Sequence, residues 1–131
     1  MKILVTGGCG FVGSNFIRYI LADSEVRENH LVINLDKQVY VGNGRNLEHM
    51  GLARNPRLMN IVGDVCNRGL VERVYKQERP EIVFNFAAEC HADLSIEYSE
   101  RMIMSNVVGA ANLLDLAKKY GVKRFVQVST A

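Results

Sequence analysis

The sequence predicts an α/β fold in which a doubly wound parallel sheet carries helices on both faces. Three observations carry this prediction: short apolar runs recur along the chain, amphipathic helical patterns separate most of them, and glycines cluster after the first run. Strands that alternate with helices are joined by right-handed crossovers, so the strands run parallel. We expect the strand order 3-2-1-4-5, with a ligand beyond the carboxyl ends of the strands, between strands 1 and 4.

The elements follow from the spacing of apolar residues. Strands are predicted at residues 2–6, 31–36, 58–62, 82–86 and 124–129. Residues three or four apart predict one helix after the glycines, a second after Asn67 that ends before Pro80, and a third over about 99–120. Their apolar stripes are Val12, Phe16, Ile17, Ile20 and Leu21, then Leu70, Val71, Val74 and Tyr75, then Ile103, Val107, Ala110, Leu114 and Ala117. Residues 37–57 are predicted to be irregular, and connections of that length are often functional.

The first strand and its glycines, MKILVTGGCGFVG, predict a turn that binds a dinucleotide. Gly8, Gly10 and Gly13 form G-x-G-x-x-G, while Gly7, Gly10 and Gly13 form the looser G-x-x-G-x-x-G. Such glycines let a pyrophosphate approach bare backbone at the positive end of a helix. An ordinary glycine-rich strand–helix turn is the alternative. The dinucleotide is favoured because Asp36 ends the second strand, about 20 residues further on, where a carboxylate meets the adenosine ribose.

Composition excludes several classes of protein. The 131 residues suit one domain, and 48% hydrophobic and 23% charged residues are typical of a globular protein. A net charge of +2 gives no reason to expect a nucleic acid or an anionic membrane as partner. No leader or membrane span is predicted. Three cysteines without a C-x-x-C pair indicate free thiols and a cytoplasmic protein, and three scattered histidines predict no metal site.

Further motifs point to a family. They are residues 6–13 (TGGCGFVG), 36–43 (DKQVYVGN), 63–65 (GDV), 86–96 (FAAECHADLSI), 105–106 (SN) and 128–130 (VST). With these, the chain resembles the N-terminal half of the extended short-chain dehydrogenase/reductases that act on nucleotide sugars, and most closely the dTDP-glucose 4,6-dehydratases. The resemblance implies that residues 1–131 form a Rossmann-like NAD-binding domain of a longer enzyme, ending before its catalytic helix.

The resemblance also implies how NAD is held. The residues assigned to the pyrophosphate are Gly7, Gly10, Phe11, Val12 and Gly13. Asp36, with Lys37 beside it, is assigned to the adenosine ribose, and Asp64 and the backbone of Val65 are assigned to the adenine. The residues assigned to the nicotinamide side are Phe86, Ala87, Ala88, Glu89 and Ser105. A 2′-phosphate would bring negative charge against the Asp36 carboxylate, so we expect NAD to be preferred to NADP. Lys37 would soften that preference.

Substrate contacts follow from the same resemblance. Cys90 and His91 would contact the sugar nucleotide, although a thiol is a weaker hydrogen-bonding group than the serine usual at position 90. Thr130 would hydrogen-bond the sugar C4 oxygen and assist its oxidation, with an exposed strand end as the alternative interpretation. Composition alone favours a solvated loop without a binding role for Glu89, His91 and Asp93. The resemblance instead favours a role in binding for Glu89 and His91, while Asp93 is interpreted as structural.

The resemblance implies that catalysis uses a Tyr-x-x-x-Lys pair and an Asp-Glu pair besides Thr130, and neither pair is found in the sequence. No tyrosine has a lysine four residues later, and Ala131 stands where the dehydratases carry Asp-Glu after the threonine. We therefore expect the isolated chain to be inactive. The resemblance implies a lyase in which hydride moves from sugar C4 to NAD, water is lost across C5–C6, and hydride returns to C6.

Two alternatives to a dehydratase remain open. One is a related 4-epimerase or decarboxylase with different downstream acids, and the other is a non-catalytic NAD-binding module. For the full-length enzyme we expect a nucleotide-sugar substrate, a dTDP-hexose in the dehydratase case, and a homodimer that pairs the long helix.

Overall fold

A five-stranded parallel sheet organises the protein, in the order β3-β2-β1-β4-β5 that the sequence predicts. The structure is a computed structural model that describes residues 1–22, 29–38, 44–89 and 99–129. The elements are β1 Lys2–Thr6, α1 Phe11–Leu21, β2 Leu31–Asp36, α2 Arg45–His49, β3 Leu58–Val62, α3 Arg68–Glu78, β4 Ile82–Asn85, α4 Ser99–Ile103, a π-helical segment Met104–Gly109, α5 Ala110–Lys119 and β5 Arg124–Gln127.

Strand β1 lies at the centre of the sheet, and its register brings three strand ends together. Thr6, its last residue, is opposite Leu35 of β2 on one side and Asn85 of β4 on the other. The residues that follow β1, β2 and β4 therefore emerge side by side at one edge. This is the edge at which the strand order reverses, and ligands of open parallel sheets bind there.

Alternating side chains of the strands supply two apolar layers, one on each face of the sheet. One layer joins Ile3, Val5 and Val32 to Ile17, Ile20 and Leu21 of α1 and Leu47 of α2. The other joins Leu4, Ile33, Leu35 and Val83 to Val71, Val74 and Tyr75 of α3 and Leu113, Leu116 and Ala117 of α5. Helices on both faces are thus confirmed.

The predicted long helix is interrupted, and three of the five residues in its predicted apolar stripe do not face the core. Ile103, Val107 and Leu114 are 57%, 60% and 48% exposed, whereas Ser105 and Gly109 are buried. The π-helical segment changes the helical phase, because each π turn uses more residues than an α turn. A Cβ at Gly109 would lie 2.5 Å from Val65 Cγ2, so close contact with the β3–α3 connection selects small residues on this face.

Smaller differences concern element ends. β4 ends at Asn85 and β5 at Gln127, short of the predicted residues 86 and 129. The interval predicted to be irregular contains the short helix α2, whose Leu47 is buried. Within the part of the chain that the structure describes, no helix is long and apolar enough to cross a membrane.

Tyr75 makes the stability of the folded protein depend on pH in the alkaline range. Its side chain is fully buried and its hydroxyl donates a hydrogen bond to the Leu113 carbonyl at 3.0 Å. Burial raises the pKa of Tyr75 above its ordinary value of about 10. The unfolded chain therefore loses this proton first, so the stability is complete below pH about 10 and declines as the pH rises further.

We expect Tyr75→Phe to weaken that decline. One tyrosine contributes a slope of at most about 1.4 kcal/mol per pH unit to the free energy of unfolding. Urea titrations between pH about 9 and 11 measure the slope for both proteins, since the ordinary tyrosine pKa falls in this window. Equal slopes in the wild type and the variant would contradict this account of Tyr75.

Candidate dinucleotide-binding site

The turn between β1 and α1 has a backbone conformation that requires glycine at its start. Gly7 has a φ of +70°, and a Cβ there would lie 2.7 Å from the Ala87 nitrogen. The Gly7 N–H donates to the Leu35 carbonyl at 3.0 Å, and the Gly10 N–H donates to the Gly7 carbonyl at 3.2 Å. The turn is therefore hydrogen-bonded to β2 and packed closely against the segment that follows β4.

The remaining glycines of the motif fall into two groups. A Cβ at Gly8 would lie 2.2 Å from Asn34 Oδ1, and one at Gly13 would lie 2.3 Å from the Gly7 carbonyl oxygen. At Gly10, by contrast, a Cβ would meet only the Gly7 oxygen, at 3.4 Å. Packing within the protein thus explains the glycines of both motif patterns, G-x-G-x-x-G and G-x-x-G-x-x-G, with the exception of Gly10. The open space beside Gly10 fits a ligand that approaches bare backbone.

The amino end of α1 provides the donors for such a ligand. Gly10 is the N-cap, no side chain caps the helix, and the first turn closes with the Ser14 N–H donating to the Gly10 carbonyl at 3.0 Å. The first N–H groups of a helix have no intrahelical acceptor, and the helix dipole is positive there. Phe11 and Val12 supply these groups, so the end of α1 has the donors that a pyrophosphate would need.

Asp36 joins the end of β2 to the glycine turn. Its Oδ2 accepts the Cys9 N–H at 2.9 Å and its Oδ1 accepts the Gln38 N–H at 2.7 Å, and the residue is 9% exposed. The carboxylate is therefore held beside the turn by two backbone donors, and its contact with the adenosine ribose stays a prediction. It also orients the turn, which the sequence did not indicate.

Lys37 and Glu89 form an ion pair across the edge of the sheet. The Lys37 ammonium contacts Glu89 Oε1 and also donates to Ser105 Oγ at 3.3 Å. The Glu89 N–H donates to Asn106 Oδ1 at 2.9 Å, and Asn106 Nδ2 donates to the Glu89 carbonyl at 3.2 Å. Three predicted cofactor residues, from the ends of β2 and β4 and from the π-helical segment, are thus in direct contact.

The residues after β4 face the site in different ways. Phe86 packs its ring against Phe16, with centroids 5.1 Å apart, so only its backbone lies at the edge. The Ala87 N–H is within hydrogen-bonding distance of Thr6 Oγ1 at 3.3 Å and Asn85 Oδ1 at 3.2 Å. Ala88 is exposed. This segment offers main chain and small side chains to a flat ligand.

Asp64 and Val65 lie after β3, on the adenine side of the predicted site. Asp64 Oδ1 accepts the Cys66 N–H at 2.8 Å, which orders the turn into α3. The Val65 side chain is 4% exposed and belongs to the core, while its carbonyl accepts Asn112 Nδ2 at 3.1 Å. The Val65 side chain is therefore part of the core, and the contact of its backbone with the adenine stays a prediction.

Sequence reasoning missed the asparagines that hold the edge together. Asn34 accepts the Gly8 N–H at 3.1 Å and donates to Asn60 Oδ1 at 3.0 Å. Asn85 accepts the Thr6 hydroxyl and donates to Gln127 Oε1 at 2.8 Å. The available signal was an asparagine inside each of two apolar runs, LVINL and IVFNF, where a buried amide needs partners.

Three predicted substrate residues, Cys90, His91 and Thr130, lie outside the residues that the structure describes, as does Asp93. Within the described ranges, no three His, Cys, Asp or Glu side chains are placed to hold a metal ion. Cys9 and Cys66 are free thiols. Burial is the main cause that raises the pKa of both, so neither is activated as a nucleophile.

The parallel sheet, the glycine turn and the acidic end of β2 together define a dinucleotide-binding domain of the Rossmann type. The family model described as GDP-mannose 4,6 dehydratase matches residues 4–131. The chain belongs to this family of nucleotide-sugar dehydratases, which confirms the predicted family and fold.

Two curated relatives show how far the similarity extends. A dTDP-glucose 4,6-dehydratase of Neisseria meningitidis serogroup B is 42% identical over 119 residues, covering 91% of this chain and 32% of the relative. The low-salt glycan biosynthesis protein Agl12 of Haloferax volcanii is 40% identical over 130 residues, covering 99% of this chain and 39% of the relative. The chain thus spans between about a third and two fifths of these relatives.

Solved structures agree with the sequence comparison. The crystal structure of dTDP-glucose 4,6-dehydratase from Bacillus anthracis in complex with NAD has a TM-score of 0.83 and 38% identity, over 99% of this chain and 37% of that one. UDP-glucose 4-epimerase from Thermotoga maritima, solved with UDP-glucose, has a TM-score of 0.84 and 32% identity. The match covers 99% of this chain and 38% of the epimerase. Dehydratases and epimerases therefore share this domain.

Proposed function

We propose that residues 1–131 form the NAD-binding part of a nucleotide-sugar 4,6-dehydratase. The observation that carries the proposal is the open backbone at Gly10, next to the uncapped end of α1 and the fixed carboxylate of Asp36. The NAD-bound relative and the dTDP-glucose 4,6-dehydratases among the similar proteins support NAD as the cofactor and a dTDP-hexose as the substrate of the full-length enzyme.

Each part of the site has a proposed role in binding. The turn at Gly7, Gly10 and Gly13 and the N–H groups of α1 hold the pyrophosphate, and Asp36 accepts hydrogen bonds from the adenosine ribose. Residues 64–65 contact the adenine, while residues 86–89 and Ser105 line the rest of the cofactor. NAD supplies a reversible hydride acceptor, and the protein orients it and shields it from water.

The chemistry on the sugar is proposed to need more than this chain. Cys90, His91 and Thr130 are the proposed contacts to the sugar nucleotide. Because no tyrosine precedes a lysine by four residues, we expect the 131-residue chain to give no turnover. Incubation with dTDP-glucose and NAD, followed by chromatography for the 4-keto-6-deoxy product, checks this. Formation of that product would show that the missing pair is not required.

A 4-epimerase is the second candidate, because an epimerase shares the domain at 32% identity. The full-length protein would separate the two activities by its product, a 4-keto-6-deoxy sugar or a C4 epimer. For either enzyme we propose a cytoplasmic homodimer. The exposed apolar row of Ile103, Val107 and Leu114 supports this dimer.

Asp36→Asn tests the role of the carboxylate in cofactor choice. The amide keeps the shape and one acceptor oxygen but removes the charge that repels a 2′-phosphate. We expect the ratio of NAD affinity to NADP affinity to fall about 10-fold, equivalent to roughly 1.4 kcal/mol. Isothermal titration calorimetry of the 131-residue chain with each dinucleotide measures the ratio.

Asp115→Asn is the matched control, since Asp115 lies on α5 in an exposed ion pair with Arg68. It removes the same charge and should leave the ratio unchanged. A ratio unaffected by Asp36→Asn would contradict the role of Asp36. No binding of either dinucleotide by the wild type would contradict the proposed function of this chain.

A further inference from the structure

The Lys37–Glu89 ion pair bears on which cofactor the site accepts. Lys37 is the residue directly after Asp36, so its positive charge enters the site next to the carboxylate proposed for the adenosine ribose. Its ammonium contacts the Glu89 carboxylate and the Ser105 hydroxyl. The side chains of Lys37 and Glu89 are 27% and 16% exposed, so water screens this pair only in part.

Glu89 occupies a fixed position in which to hold the lysine. Its main chain forms two hydrogen bonds with the Asn106 side chain, one through its N–H and one through its carbonyl. Ser105 provides the second acceptor for the ammonium and is itself buried. Moving Lys37 away would leave the Glu89 carboxylate partly buried without this partner, which costs free energy.

A lysine one residue beyond the ribose carboxylate would otherwise favour NADP. A 2′-phosphate carries up to two negative charges, and an ammonium released from other contacts would offset its repulsion by Asp36. In this structure the ammonium is committed to the end of β4. NADP must therefore be bound against Asp36 without that compensation, or the ion pair must be broken.

We propose that Glu89 is a selectivity-determining residue, which favours NAD over NADP by holding the Lys37 ammonium away from the 2′ position of the adenosine ribose. Glu89 acts through Lys37 and is in this sense a positioning residue. The inference rests on the proposed function, because it concerns the choice between two forms of the same cofactor. The sequence placed the preference for NAD in Asp36 and led us to expect that Lys37 would soften it. The inference adds a residue after β4 that prevents this softening.

Glu89→Gln tests the inference. Glutamine keeps the length of the side chain but lacks the charge that holds the ammonium. We expect the ratio of NADP affinity to NAD affinity to rise about 10-fold, close to the lower limit for one charge-assisted contact. Calorimetric titration of the 131-residue chain with NAD and with NADP at low ionic strength measures both dissociation constants. The gain should decrease as salt is added.

Three further variants show whether the change in the ratio depends on Lys37 and on the position of the lost charge. In the double variant Glu89→Gln with Lys37→Met, the ratio should return to within about 2-fold of the ratio of Lys37→Met alone, since no ammonium remains to be released. Glu81→Gln is the matched control, because Glu81 pairs with Lys123 at the opposite end of β4. It changes the net charge equally and should leave the ratio unchanged.

The outcomes separate this inference from the proposed function. NAD binding by the wild type with the same ratio in Glu89→Gln would overturn the inference and leave the proposed function standing. A ratio that rises in Glu89→Gln and stays raised in the double variant would also overturn it, because Lys37 would not be the agent. Failure of the wild type to bind either dinucleotide would overturn both.

Discussion

Gly10→Ala is expected to weaken NAD binding about 100-fold while the domain stays folded. The added methyl group would occupy the open space where the pyrophosphate approaches the backbone. Displacing two phosphate oxygens from charge-assisted hydrogen bonds costs roughly 3 kcal/mol, which corresponds to that factor. Calorimetry gives the dissociation constant, and urea denaturation gives the free energy of unfolding.

The stability of Gly10→Ala is what makes the prediction specific to binding. Gly10 has a φ of −69°, which alanine adopts without strain, and a Cβ would approach the Gly7 oxygen only to 3.4 Å. The free energy of unfolding should change by less than about 1 kcal/mol, since alanine is only a poorer N-cap. Unchanged NAD affinity in a folded variant would show that the pyrophosphate does not lie at Gly10.

Gly13→Ala is expected to produce the opposite pattern, a large loss of stability. A Cβ at Gly13 would lie 2.3 Å from the Gly7 carbonyl oxygen and 2.8 Å from the Gly8 Cα. Both are backbone atoms of the turn, so α1 or the turn must shift. We expect a loss of about 3 kcal/mol in the free energy of unfolding, measured by urea denaturation.

Gly69→Ala is the matched control for this loss. Gly69 also lies in the first turn of a helix, α3, but a Cβ there would meet only Asn67 Oδ1, at 3.7 Å. Alanine should therefore stabilise the protein by about 0.5 kcal/mol through its higher helix propensity. If Gly13→Ala and Gly69→Ala changed stability equally, close packing of α1 on the turn would not explain Gly13.

The sequence predicted the sheet well because its signals are local. Each strand is an apolar run, and the alternation with helices predicts parallel pairing. The strand order followed from the glycine turn, because the dinucleotide-binding form of this fold has the order 3-2-1-4-5. Asp36 could be assigned because a carboxylate at the end of the second strand, about 20 residues after the glycines, is where the adenosine ribose is bound in such folds. Lys37, Glu89 and Ser105 were also named, although only the structure shows that they contact one another.

The features that the sequence missed depend on contacts between distant residues. The stripe containing Ile103, Val107 and Leu114 has helical spacing, but the π-helical segment and the approach of Gly109 to Val65 place another face against the core. Likewise, no periodicity indicates that Asn34 holds the Gly8 N–H, because the partner is 26 residues away in sequence.

The central claim is that the end of α1 receives the pyrophosphate of NAD, and amide NMR of the ¹⁵N-labelled chain tests it most directly. On titration with NAD, the backbone amide signals of Gly10, Phe11 and Val12 should shift strongly and saturably, because their N–H groups acquire anionic acceptors. The amides of Glu81 and Lys123, at the opposite edge of the sheet, should not move. Saturable shifts that leave Gly10, Phe11 and Val12 unaffected, or no shifts at all, would contradict the account.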